Sequence, residues 1–382
     1  PRILTYVKQS DQAPNLTDLH ELEDFFNQKK KLENFISEHF RDSETNSNYA
    51  YMQFGENASF EHKFREHLRA LIKAQIGDIG NLCEWEGNPY VGLSSYEFSQ
   101  SDIFFGRRQL IYDTASMMVD FQHPQVRQSL IVLGESGSGK SSFVKAGILP
   151  FFCGSSMKES STYEILTPSK YGEGFRQGIL DALARQFPTL KGHPVLEEIC
   201  TGKPQAKDFN YLAYELGKAD SHALLLYIDQ FEEIFTDLRI GEEERAHILA
   251  TLRGLVSTRL IHVILSMRND FYYLFARYED LGWIKKNSVV VDMPVASGSD
   301  IQEIIEEPAR KACLKWEVSD KGEGLNHLIA NDAVAIHDLP LIEFALSELY
   351  EKRDADNTLT FHAYQEIGGL EGAIAKYANG FY

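Results

Sequence analysis

One stretch of the chain prescribes a chemistry by residue type and spacing alone: Gly134-Glu135-Ser136-Gly137-Ser138-Gly139-Lys140-Ser141, a complete GxxxxGK[ST], with Ser142 directly after it. The apolar run Ser129–Leu133 precedes it, and a helical stretch is expected to follow from Ser141 to Ile148 and to stop at Pro150. Glycines let the backbone curl until successive N–H groups face one point, and a helix N-terminus adds partial positive charge there. That combination binds the phosphates of a nucleoside triphosphate. Lys140 is expected to bridge the β- and γ-phosphates and the Ser141 hydroxyl to ligate Mg²⁺.

Two further signals lie downstream. Ala223-Leu224-Leu225-Leu226-Tyr227-Ile228-Asp229 is a buried-strand run ending in a carboxylate, which suits Asp229 to hold Mg²⁺ directly or through water. The following Gln230-Phe231-Glu232-Glu233 offers a carboxylate to polarise the water that attacks the γ-phosphate. Glu233 is the preferred candidate and Glu232 the second; the bland alternative makes both a solvated helix start. Ile261-His262-Val263-Ile264-Leu265-Ser266-Met267-Arg268 is a strand ending in a cation, expected to sense the γ-phosphate and stabilise charge in the transition state. Its bland alternative is an arginine paired on the surface with Asp270.

These residues need a scaffold that brings strand ends together. Strand-like runs at Leu130–Leu133, Tyr163–Leu166, Leu224–Ile228, Ile261–Leu265 and Val289–Val291 alternate with helical stretches. The alternation predicts an α/β nucleotide-binding domain over 96–295, a parallel sheet with helices on both faces. Residues 296–382 switch to helical periodicity, with Pro340 at a helix start and Gly368-Gly369 at a break. The Gly- and Pro-bearing stretch 77–95 reads as a linker. Its aromatics and those beyond it, Tyr90, Tyr96, Phe98, Phe104 and Phe105, are expected to pack against the nucleotide domain.

Residues 1–76 read as a small α/β piece: a strand at Ile3–Val7, a helix from Thr17 to about Phe40, an aromatic stretch Tyr49–Phe54 and a helix over Phe60–Ile72. An isolated strand so near the start implies partner strands upstream, so this piece is expected to be the tail of a truncated domain. Both chain ends read as cuts.

Composition narrows the partners. The formal net charge is −18, from 56 acidic and 38 basic residues, which argues against broad nucleic-acid binding. No apolar run reaches membrane-spanning length, and a cytoplasmic location is expected. The four cysteines have no metal-ligand spacing and are expected to be reduced thiols.

Taken with their flanks, the three signals resemble the STAND class of signal-transducing P-loop ATPases, especially the bacterial novel STAND branch, a relative of NACHT and apoptotic-ATPase modules. Pro89-Tyr90-Val91-Gly92-Leu93 and Asp102-Ile103-Phe104-Phe105-Gly106-Arg107 look like the class's entry motif. Asp229-Gln230-Phe231-Glu232-Glu233 is similar to its extended Walker B, and Ser266 to Tyr272 to its sensor strand. Leu339-Pro340-Leu341 resembles its helical-domain proline motif, and Ile367 to Ala373 the approach to its winged-helix region. The resemblance implies ATP/ADP and Mg²⁺ as ligands, with Gly106 and Arg107 by the base or phosphates and Pro340 near the adenine. It implies a slow ATPase switch that forms a homo-oligomer on meeting a trigger, expected to be a protein, and activates an effector in bacterial antiphage immunity or signalling. A turnover ATPase of the AAA type doing mechanical work and a scaffold with structural ATP are the alternatives. More weakly, residues 1–76 resemble the distal half of a truncated TIR-like effector domain.

Overall fold

The computed structural model describes residues 5–8, 51–54, 83–119, 129–154, 162–201, 205–218, 224–258, 261–336 and 338–379. The chain divides into two compact units, Pro1–Leu82 and Cys83–Tyr382.

In the first unit, β1 (Thr5–Lys8) pairs in parallel with β2 (Tyr51–Phe54), Thr5 opposite Tyr51. The early strand is therefore not isolated: the aromatic stretch, whose Tyr-Met-Gln-Phe suits a pleated strand, supplies its partner. The helices expected at Thr17–Phe40 and Phe60–Ile72 lie outside the described residues.

The second unit is built on five parallel strands: β3 (Ser129–Gly134), β4 (Thr162–Leu166), β5 (Leu224–Ile228), β6 (Ile261–Arg268) and β7 (Ser288–Asp292). Their order is β4-β5-β6-β3-β7, and each matches one of the five predicted runs. Period-two alternation divides their side chains between two cores. Ile131, Leu133, Leu224, Leu226, Ile228 and Val263 face one cluster with Phe175, Ile179 and Ile248. Leu130, Val132, Leu225, Tyr227 and Ile264 face the other with Phe143, Val144 and Ile148. Strands buried on both faces read as continuous apolar runs, which is why they were legible.

The helix after β3 departs from expectation. It begins as Lys140–Ser142, widens into a π-helical turn over Phe143–Ile148 and continues as Leu149–Gly154, so Pro150 does not end it. In the wide turn the Leu149 N–H donates to the Val144 carbonyl, five residues back, and this looser winding carries the chain past Pro150, which has no N–H to give.

Beyond β7, the helices α1 (Gly298–Lys311), α2 (Leu325–Ile336), α3 (Leu339–Glu351), α4 (Phe361–Ile367) and α5 (Gly369–Asn379) close a separate core around Ile301, Ile305, Ile329, Ile342 and Leu346. Asp338 caps α3 by accepting from the Leu341 N–H, and Pro340 sits in its first turn, as predicted. Gly368, at φ 85°, ends α4.

Residues 83–96 form a strap on this helical core. The N–H groups of Glu84 and Trp85 donate to the Lys311 carbonyl at 2.9 and 3.1 Å. Tyr90 is buried in the helical cluster, and its hydroxyl donates to the Ile305 carbonyl at 2.6 Å. Tyr90 thus corrects the expectation that the linker aromatics pack on the nucleotide domain. Tyr96 and Phe104 do so, beside Ala146, and Phe98 packs against the second sheet core. The expectation of four reduced thiols is also corrected. Cys83 and Cys313 form a disulfide with Cα atoms 5.4 Å apart, because the docked strap brings together residues separated by 230 positions.

Candidate nucleotide site

The carboxyl ends of β3, β5 and β6 converge because neighbouring parallel strands run in register: Gly134 stands opposite Arg268, and Ile228 opposite Leu265. The loop after β3 turns through Gly137 and Gly139 at φ 77° and 86°, the left-handed region that favours glycine. Gly137 is needed for close approach too, since a Cβ there would lie 3.1 Å from Cγ of Pro340.

Lys140 follows this turn and donates from Nζ to the carbonyls of Gly134 and Glu135 at 3.0 and 2.6 Å. Burial holds its pKa below the usual lysine value, while Glu232 and Asp229 pull it back up. The Ser141 hydroxyl donates to Oδ1 of Asp229 at 2.8 Å. Asp229 is itself fixed: the Tyr227 hydroxyl donates to the same oxygen at 2.7 Å and the Ser266 hydroxyl at 2.8 Å. Lys145, one turn along, holds its ammonium 3.7 Å from the other Asp229 oxygen.

The two glutamates have different surroundings. Glu232 is 9% exposed, and its Oε2 is buried without a hydrogen-bond partner among the described residues. Burial raises its pKa, opposed by nearby backbone N–H groups and the charges of Lys140 and Arg268. Glu233 instead turns aside, and its Oε2 accepts the Ser169 N–H at 2.9 Å. Before them, Gln230 takes φ 55°, a strained turn that carries the chain across the end of β6. Arg268 is half exposed and paired with Asp270, the bland arrangement anticipated for it, yet it borders the same cavity as Lys140 and Glu232.

That cavity, about 810 Å³, has two walls. Ser136, Gly137, Gly139, Lys140, Ser141 and Ser142, with Asp229, Glu232 and Arg268, form the polar wall. Val91 to Tyr96, Phe104, Phe105, Ile304, Pro308, Leu339, Pro340 and Glu343 form the other, and Arg107 joins it. Arg107 is 6% exposed; burial lowers its pKa and Asp300 opposes the shift. Gly134, Glu135, Ser138, Gly106 and Glu233 are not among the lining residues. Gly106 has a packing role instead: at φ 77°, a Cβ there would lie 2.7 Å from Ile304 and 2.8 Å from the Asp300 carbonyl.

The residues present fit a nucleotide with Mg²⁺. The loop is a glycine-built concavity, a cation follows it, and the Ser141 hydroxyl and Asp229 carboxylate stand side by side. Among the described residues no group of three or more His, Cys, Asp or Glu side chains could hold a metal. A hydroxyl, one carboxylate and phosphate oxygens are the ligand set that Mg²⁺ takes, so an all-protein cage is not required.

Sequence reasoning missed Tyr227, Ser266 and Glu343. The first two had a signal: Tyr227 is the lone polar-tipped residue of an otherwise aliphatic strand, and Ser266 is a small polar residue in the apolar stretch just before Arg268. Glu343 had the same signal in the apolar face of α3.

The family described as Novel STAND NTPase 1 matches residues 89–382. Among curated proteins none matches the chain. Similar solved structures include the Aeropyrum pernix ORC2 protein in its ADP form, 15% identical over 69% of this chain and 68% of that one, with a TM-score of 0.50. The ADPNP–ADP complexes of the same protein give 16% identity, 68% and 66% coverage and a TM-score of 0.49, so the chain spans about two thirds of that protein's length. A Walker-type ATPase of Pyrococcus abyssi is 11% identical over 76% of both chains, with a TM-score of 0.46. At these identities the likeness to the ADP form of ORC2 speaks for the fold alone.

Proposed function

This chain belongs to the novel STAND NTPase 1 family, and we propose that it is an ATP-driven conformational switch with slow hydrolysis. The observation that supports this reading is the two-walled cavity, with a phosphate loop on one side and Pro340 and Ile304 of the helical core on the other. A nucleotide seated with its phosphates on the loop touches both walls. It can then bias a two-state docking of the helical part by its differential affinity for the two states.

In the proposed chemistry the loop N–H groups and Lys140 bind the phosphates. Ser141 and Asp229 would hold Mg²⁺, which would supply positive charge against the phosphates. Tyr227 and Ser266 fix Asp229 and so position this edge of the site. Glu232 accepts a proton from the attacking water, and Arg268 leaves Asp270 to meet charge on the γ-phosphate. The preference for adenine rests on the resemblance to STAND ATPases, as do homo-oligomerisation on a protein trigger and a role in antiphage defence or signalling.

The test is calorimetric titration with MgATP and MgADP, followed by light scattering with and without a candidate trigger protein. Lys140→Ala is expected to weaken nucleotide binding by more than about 100-fold, the scale of losing a buried charge-assisted contact. Unchanged affinity would remove the phosphate-loop assignment. Assembly of the wild type only with ATP and trigger is expected; assembly that ignores the nucleotide would refute the switch.

A further inference from the structure

Glu343 stands where the strap, the helix after the phosphate loop and the helical core meet. Its side chain is 8% exposed and lines the cavity. The Tyr96 hydroxyl donates to both carboxylate oxygens at 3.0 Å, and the Val91 N–H donates to Oε2 at 3.3 Å. The backbone N–H of Tyr96 in turn donates to the Ser142 hydroxyl at 3.1 Å, one residue past Ser141. Two hydrogen bonds thus join α3 to the first turn of the phosphate-binding helix. The same α3 presents Pro340 to Gly137 one turn earlier. A carboxyl buried without a cationic partner is costly, and an apolar residue would fill this place more cheaply. The chemistry of the proposed ATPase makes no use of it.

We propose that Glu343 is a positioning residue for the nucleotide site: through Tyr96 it sets the phosphate-binding helix against the helical core, so that nucleotide binding and docking of that core share one equilibrium. This rests on the reading that the cavity holds a nucleotide.

The carboxyl's protonation gives the inference its signature. Burial raises its pKa from 4.5 to about 8. The groups around it do not reverse this: the strap brings Tyr90 and Tyr96, and α1 brings Glu306 beyond Tyr90. Lys145, on the phosphate-binding helix, is engaged by Ser95, Glu97 and Asp229, and Arg107 across the cavity lies near Asp300. The neutral acid can donate to the Tyr96 oxygen, whose own proton then goes to the Pro89 carbonyl, 3.3 Å away. Undocked and in water, the same carboxyl returns to its ordinary value near 4.5. The docked state therefore holds a proton that the undocked state releases between those two values. Docking weakens as pH rises through that window, by at most about tenfold per unit, and levels off above it.

The experiment measures MgADP affinity by calorimetry from pH 6 to 9 for the wild type, Glu343→Gln, Glu343→Ala and Tyr96→Phe, each checked for folding by thermal melting. MgADP avoids turnover during the titration. The wild type is expected to lose affinity by about tenfold or more between pH 6 and 8 and then flatten. Glu343→Gln, which keeps a donor and an acceptor without a titrating proton, is expected to match the wild type at pH 6 within about threefold and to lack that fall. Tyr96→Phe and Glu343→Ala are expected to bind more weakly at pH 6. A Glu343→Gln profile superimposable on that of the wild type would overturn the inference, as would wild-type affinity in Tyr96→Phe. A wild type that binds no nucleotide at any pH would instead bring down the proposed function itself.

Discussion

Replacing Glu232 by Gln tests which carboxylate serves the attacking water. Glu232 brings to the cavity a buried carboxylate oxygen with no protein donor, in the field of Lys140 and Arg268. Glu233 is not itself a lining residue: it spends an oxygen on the N–H of Ser169, which is, and so supports the cavity edge instead of facing into it. A positioned general base contributes about 10²–10⁴-fold, or about 3–5 kcal/mol of barrier. Glu232→Gln is therefore expected to cut single-turnover ATP hydrolysis by at least about 100-fold. ATP affinity should stay close to that of the wild type, because the amide replaces a carboxylate that makes no contact required for binding. Glu233→Gln keeps an acceptor for the Ser169 N–H and is expected to change the rate by less than about threefold, since that hydrogen bond is retained. The assay is single-turnover hydrolysis with enzyme in excess, at ATP concentrations set from each variant's own affinity. A Glu232→Gln enzyme at full rate, with Glu233→Gln impaired, would reverse the assignment. The pH profile adds a check of sign. Burial raises the Glu232 pKa, so the basic form accumulates only above that raised value and turnover should climb with pH across it.

Three other perturbations follow from the geometry. Arg268→Ala is expected to leave ADP affinity unchanged while reducing the preference for ATP over ADP, read by paired titrations; an unaltered ratio would count against a γ-phosphate role. Gly106→Ala would force a Cβ within 2.7 Å of Ile304 at a φ of 77°, and is expected to destabilise the chain by about 2–4 kcal/mol in denaturant unfolding. Reduction of Cys83–Cys313 with a dithiol opens a loop spanning 230 positions, and chemical unfolding should show a loss of about 2–4 kcal/mol that Cys83→Ser reproduces without reductant.

The sheet was legible because its physics is local to each strand. A run such as Leu224–Ile228, apolar on both faces and ending in Asp229, can hardly be anything but a central strand with a site at its end. The glycine loop was equally plain, since its spacing encodes a backbone path. What the sequence hid was pairing across distance. Cys83 and Cys313 carry no mark of each other, and Tyr90 looks the same whether its partner is the sheet or Ile305. Glu232 and Glu233 differ only in which way the chain faces after the strained turn at Gln230, a fact of tertiary path. The helix across Pro150 was misread because a proline signals an end only while the preceding turns stay α-helical.

The strap explains how two closed cores can share a ligand. The sheet buries its side chains in clusters that contain no residue of α3, and the helical core closes around Ile301, Ile329 and Leu346 without the sheet. Tyr90 belongs to the helical core, whereas Tyr96, only six positions later, packs with Ala146 of the phosphate-binding helix. The residues between them cross the joint, with Gly92 at φ 64° beside Ser347. Moving one core against the other therefore changes the cavity walls, the Gly106–Ile304 contact and the bonds of Tyr96 and Glu343 while leaving both apolar cores intact. Opening either core would expose many side chains, each costing about 1.5–3 kcal/mol, whereas each hydrogen bond at the joint carries about 1 kcal/mol net. A ligand gripping both walls acts on terms of that smaller size, so the joint is where a single bound nucleotide has enough leverage to change the arrangement of the chain.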